Sequence, residues 1–295
     1  MSRPQNSPFR NSLLMRCHRH HISDWITVAL VLVLYFILEH KHPFHQLFML
    51  DDKSLQHPFA EIERISSSAC LLLAIIVPGI TITAASLLSQ RHEETQGFHL
   101  LHVSLLGLAT TFAFNGFITN FLKLLIGRPR PDLLARCLPA PGTPMHEYVS
   151  IAVCTSTNVK VLEDGFKSAP SGHTSASFAA FLFLSLWICG QTSAFKPGNH
   201  TYKLFLAVLP LLIASYIAIS RTEDYRHHPT DVMAGALLGS VIAYASYRTF
   251  FPPLSSKNCS IPYSASTLDF GKTQDNNPPT ESSAEEGDYN PVTLV

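Results

Sequence analysis

The stretch "SRTEDYRHHPTDV", residues 220–232, sets two arginines, two adjacent histidines and three carboxylates between two apolar runs. An imidazole beside a carboxylate makes a nucleophile or a general base, because the carboxylate fixes the ring's tautomer and stabilises the imidazolium. Asp231 is placed to serve either His227 or His228, and spacing alone does not choose between them. Pro229 suits a first helical turn and pushes the residue before it out of helical geometry, so the pair sits at a helix start. Arg221 adds a cation at the end of the preceding apolar run.

Two other stretches carry matching chemistry. In "KLLIGRPRPD", residues 123–132, Lys123 and Arg130 follow Gly107, Thr111, Asn115 and Thr119, a four-residue spacing that puts small and polar groups on one helical face. Inside a membrane such a face turns toward other helices, which carries Lys123 to the mouth of a bundle. In "APSGHTSASFAAFLF", residues 169–183, Ser171 and Gly172 open an apolar helix with His173 beside them. Glycine permits close backbone approach, and the first amides of a helix point outward unpaired, so this is an anion site with an imidazole at its edge. Fixed cations, helix amides, imidazoles and one carboxylate together suit phosphoryl transfer, with Lys and Arg neutralising the phosphoryl oxygens in place of a metal. No carboxylate cluster suited to magnesium accompanies the histidines, and we expect neither metal nor cofactor.

These residues need elements that bring them together. Of 295 residues, 46% are hydrophobic and only 14% charged, which indicates a membrane protein. Six segments approach the roughly 20 apolar residues that a spanning helix needs: Ile22 to Leu38, Ile65 to Leu88, Leu100 to Leu122, Thr174 to Cys189, Leu204 to Ile219, and Val232 to Phe250. An even count returns both termini to one side. The end of the third span, the start of the fourth, the end of the fifth and the start of the sixth then share the other side, and those places hold the polar stretches.

Outside the spans, residues 1–21 form a basic tail and residues 252–295 an acidic, Pro/Ser-rich tail expected to be disordered, flanking a 22–251 domain. The long segment between the third and fourth spans reads as a covering or binding loop, and its Cys137 and Cys154 can pair if it faces an oxidising compartment. Cys70 and Cys189 read as packing residues. Balanced charge, 21 basic against 21 acidic residues, offers no bulk field for nucleic acid. With the anion-binding cations set aside, the remaining basic residues favour cytosolic termini and a lumenal or extracellular polar face.

The three stretches match the signatures of a known family: Lys, six residues, Arg-Pro from Lys123 to Pro131; Pro-Ser-Gly-His from Pro170 to His173; and Ser-Arg, five residues, His, three residues, Asp from Ser220 to Asp231. The chain resembles the type 2 phosphatidic acid phosphatase superfamily, and its wording is most similar to the fungal diacylglycerol pyrophosphate phosphatase branch. The resemblance implies an all-α fold, a six-transmembrane-helix bundle similar to the phosphatidic acid phosphatase type 2/haloperoxidase fold, with the active site at one membrane face. It implies His227 as a nucleophile forming a phosphohistidine, Asp231 as the group orienting it, and His173 as the acid for the leaving oxygen and later the base for water. It makes Lys123, Arg130, Ser171, Gly172 and Arg221 the phosphate cradle, with His228 a structural neighbour. The expected activity is metal-independent dephosphorylation of phosphatidic acid, diacylglycerol pyrophosphate and related lipid phosphates drawn from the membrane. The alternatives are a lipid phosphotransferase using the same site and a catalytically silent lipid-phosphate-binding protein.

Overall fold

The computed structural model describes residues 21–89 and 94–263. The basic N-terminal tail and most of the acidic C-terminal one lie outside the described residues. Eight α-helices are present among them: α1 (Ile22–Glu39), α2 (Ser67–Ser89), α3 (Glu94–Ile126), the short α4 (Leu133–Cys137) and α5 (Val159–Asp164), then α6 (Gly172–Thr192), α7 (Thr201–Glu223) and α8 (Pro229–Phe250). In hydrocarbon every backbone polar group must be paired within the segment, and a helix achieves this. Five of these helices, α1, α2, α3, α6 and α7, are long and apolar enough to cross a membrane. The sixth expected span is a helix of 22 residues, α8, whose glycines, tyrosines, Asp231 and Arg248 make it less apolar than the others.

The central helix is α6, packed most extensively on α8 and α7 and also touching α2 and α3. Phe181, Phe183, Leu184 and Trp187 of α6 join Leu106, Ala113, Ile217, Ala243 and Tyr247 in one buried cluster. Trp187 donates its ring N–H to the Ser104 hydroxyl at 2.8 Å, so this polar pair is satisfied inside the bundle. Helix α1 sits outside on α3 with Leu30, Val33, Phe36 and Ile37 exposed, the pattern of a lipid-facing surface.

The face holding Gly107, Thr111, Asn115 and Thr119 does turn inward. Thr111, Asn115 and Thr119 are buried, and Ser175 of α6 lies 2.9 Å from the Thr119 hydroxyl and accepts from the Asn115 amide at 3.3 Å. Gly235 and Gly239 let α8 close on the start of α6. A Cβ at Gly235 would stand 2.6 Å from the Ser171 carbonyl oxygen, closer than atoms pack. Gly235→Ala is therefore expected to destabilise the bundle by about 1–3 kcal/mol. A thermal melt of the detergent-solubilised protein checks this.

On one face of the bundle, the segments joining α1 to α2 and α3 to α6 form a cap with its own small core of Phe48, Leu55, Leu133, Cys137, Leu162 and Phe166. Isolated bridges join Phe48 to Val149 and Pro139 to Cys154, and Cys137 is disulfide-bonded to Cys154. The expected covering loop is thus a built layer rather than a loose insertion. Cys70 and Cys189 are buried, as expected of packing residues.

Pro252 to Tyr263 fold back on the bundle, where Cys259 is fully buried and Gln191 donates to the Ser260 carbonyl at 3.0 Å. The apolar residues Leu254 and Cys259 supply the burial that the Pro/Ser-rich composition concealed.

Candidate active site

Lys123 lies in the last turn of α3, which ends at Gly127 with φ +60°. A side chain there would meet the Phe44 carbonyl, so glycine both permits the left-handed turn and admits the neighbouring strand of chain. The chain then reverses, and Arg130 returns beneath the cap. Lys123 Nζ donates to the Lys167 carbonyl at 2.6 Å and its stem lies against Gly172. Arg130 gives Nε to the Asp164 carbonyl at 2.8 Å, Nη2 to the Asp164 carboxylate at 2.9 Å and Nη1 to the Arg226 carbonyl at 3.2 Å. Burial alone would raise the Asp164 pKa. Arg130, Arg136 and Lys123 outweigh it and hold that carboxylate well below its usual range.

Helix α6 begins at Ser171, which stands in extended geometry as its N-cap. The Ser171 amide is already given to the Asp231 carbonyl at 3.0 Å. The expected anion nest is therefore left to the amides of Gly172 and His173 in the unpaired first turn. The His173 Nε2 is buried and has no hydrogen-bond partner among the described residues; a carboxylate oxygen of Glu63 is 4.0 Å away.

At the end of α7, Tyr225 takes φ +51° and the amides of Arg226 and His227 both return to the Arg221 carbonyl, at 3.0 and 3.3 Å. This tight reversal folds His227 back over Arg221. The Arg221 guanidinium is fully buried and gives Nε and Nη2 to the Ser220 hydroxyl, Nη2 to Asp224 at 3.0 Å and Nη1 to Glu63 at 2.8 Å.

The two adjacent histidines diverge. His228 is the N-cap of α8, with its Nε2 3.2 Å from the Pro129 carbonyl. His227 is 3% exposed and its Nδ1 lies 2.7 Å from the Ser168 carbonyl oxygen. A carbonyl can only accept, so Nδ1 carries the proton and the neutral ring has its lone pair on Nε2. Burial, then Arg130 and Lys123, push the His227 pKa well below 6.5, against the opposing Ser168 bond. The ring therefore stays neutral as pH falls through 6.5. We expect the acid limb of a kcat/KM profile to lie clearly below that value; a limb centred at 6.5 would contradict a nucleophile in this setting.

One expected contact is absent. Asp231 does not reach the His227 ring; its oxygens accept from Arg128 at 2.5 Å, from the Ser168 hydroxyl at 2.6 Å and from the His228 amide at 3.1 Å. As the third residue of α8, it turns its carboxylate back to the amide of the N-cap residue, His228. Its hold on His227 passes through Ser168, whose hydroxyl it fixes and whose carbonyl fixes the ring.

Lys123, Arg130, Gly172, His173, Arg221 and His227 thus gather at one end of the bundle, with Ser171 and Asp231 holding α6 to α8. Sequence reasoning missed Ser168, Asp164, Glu63 and Arg226. Arg226 and Asp164 stand in or near the quoted stretches as charged residues, a usable signal, whereas Ser168 and Glu63 show none. Among the described residues no group of histidine, cysteine and carboxylate side chains is arranged to hold a metal ion.

An all-helical bundle with several apolar helices and a cation-lined histidine pair at one end defines a membrane phosphoryl-transfer protein. Residues 104–253 match the PAP2 superfamily, and the chain belongs to that family. It is 38% identical to diacylglycerol pyrophosphate phosphatase 1 of Saccharomyces cerevisiae over 79% of this chain and 80% of that one. It is 36% identical to lipid phosphate phosphatase 2 of Arabidopsis thaliana over 80% of this chain and 79% of that one. No solved structure matches the chain.

Proposed function

We propose that this protein is a metal-independent lipid phosphate phosphatase that acts on diacylglycerol pyrophosphate, phosphatidic acid and related lipids through a phosphohistidine. The observation that carries the reading is the bond from His227 Nδ1 to the Ser168 carbonyl, which supports a ring whose Nε2 lone pair can attack phosphorus. Acyl chains remain in the bilayer while the phosphate enters among Lys123, Arg130, Arg221 and the first amides of α6. His227 Nε2 attacks phosphorus, the bond from phosphorus to the leaving oxygen breaks, and His173 gives that oxygen its proton. Water then attacks the phosphohistidine, His173 takes the proton back, and inorganic phosphate leaves. Charge grows on the phosphoryl oxygens in the transition state, so the cations act there more than on the bound ground state.

The disulfide in the cap supports a lumenal or extracellular site and cytosolic termini, in an endomembrane or the plasma membrane. The test is phosphate release by purified protein from diacylglycerol pyrophosphate, phosphatidic acid, lysophosphatidic acid and a sphingoid phosphate, each with and without EDTA. We expect turnover of the first two to persist in chelator. Complete loss in EDTA, or release from none of the four, would overturn the proposal.

A further inference from the structure

Glu63 lies outside all three signature stretches, on the irregular segment that leads into α2, yet its carboxylate sits in the cradle. Oε2 is 2.8 Å from Arg221 Nη1 and 4.0 Å from Nε2 of His173, which has no hydrogen-bond partner among the described residues. Oε1 is 2.9 Å from Nη2 of Arg226, a buried guanidinium that the signatures do not include. One carboxylate therefore bridges two guanidiniums beside the histidine, the arrangement an anionic head would need. The strap that brings it is held from outside: the Arg226 guanidinium donates to the Ala60 carbonyl, and Arg64 gives its amide and Nη1 to Asp224, both at 3.0 Å, and pairs with Glu223 at 2.9 Å. Arg64 is 53% exposed, so solvent screens much of that attachment. Arg221 keeps Asp224 as a partner if Glu63 withdraws.

Resting on the phosphatase reading, we propose that Glu63 is the resident anion of the cradle, which a lipid phosphate must displace, and that its departure frees Arg226 for the second phosphate of a diphosphate head. A monoester replaces one end of the carboxylate bridge. A diphosphate replaces both, so Glu63 selects for the more highly charged head.

Glu63→Gln keeps the shape and removes the charge. If the carboxylate fills the cradle for most of the time, the variant's KM for phosphatidic acid and its inhibition constant for inorganic phosphate should each fall about tenfold, with kcat little changed. The KM for diacylglycerol pyrophosphate should fall less, narrowing the preference between the two. Arg64→Ala, which loosens the strap without touching the cradle, should move the same constants in the same direction and carries the test if the first variant does not fold. Unchanged KM and inhibition constants, or a collapse of kcat at constant KM, would overturn the proposal. Titration of wild-type protein and variants with inorganic phosphate by calorimetry reads Glu63 without turnover. A wild-type protein that hydrolyses no lipid thus counts against the phosphatase reading, and equal phosphate affinity in wild type and Glu63→Gln against this one.

Discussion

His227→Asn is expected to lower phosphate release by at least about 10⁴-fold, the scale on which loss of a covalent nucleophile is felt. Asparagine suits the test because its side-chain amide can donate to the Ser168 carbonyl as Nδ1 does, 2.7 Å away in the native protein, while offering no nitrogen lone pair to phosphorus. The reversal that positions residue 227 is made by its backbone amide and that of Arg226, both on the Arg221 carbonyl, and does not need the ring. The variant should therefore insert and purify like wild type. Two measurements check it: phosphate release under saturating lipid, and trapping of labelled phosphoenzyme at neutral or alkaline quench, where a phosphohistidine survives. Activity within tenfold of wild type, or undiminished labelling, would place the nucleophile elsewhere.

Arg221→Lys keeps the positive charge and should still lower kcat/KM by about 10²–10³-fold, most of it in kcat. The reason is geometric. Arg221 is fully buried and its planar guanidinium serves Ser220, Asp224 and Glu63 from three nitrogens at once. A lysine ammonium is a single point on a flexible stem and cannot hold Asp224 while also facing a phosphoryl oxygen. Because charge on those oxygens increases toward the transition state, the loss falls on the chemical step. Fold should survive, since Asp224 retains Arg64 and an ammonium can replace part of its pairing with residue 221. Steady-state kinetics in mixed micelles read the split between kcat and KM; a kcat within threefold of wild type would show that charge alone suffices.

Both predictions concern residues that stand in the signature stretches of the sequence. The cationic and imidazole residues were legible because phosphate chemistry restricts side-chain types, and because apolar runs of the right length announce helices whose ends can be followed from side to side. That reading brought Lys123, Arg130, His173 and Arg221 to one end, and the structure places them there. Gly235 and Gly239 allow the tight approach of α8 to α6, where a Cβ would strike the backbone. The expected boundaries were short for five of the six spans, since helices continue past their apolar residues wherever capping keeps the backbone paired, while the second helix starts at Ser67, after the expected Ile65.

Hydropathy, helical periodicity and residue chemistry are local properties, and from them the sequence by itself determined a helical membrane protein with cations and histidines near the ends of its spans. Spacing left His227 and His228 open and only the resemblance chose between them; in the structure a reversal at Tyr225 and the cap of α8 send the two rings to different places. Tertiary structure alone decided that Asp231 bonds the Ser168 hydroxyl instead of the His227 ring, and that Glu63, more than a hundred positions before either, stands against Arg221. Those outcomes depend on carbonyls, amides and carboxylates competing for partners across distant segments, and chain spacing carries no record of which partner wins.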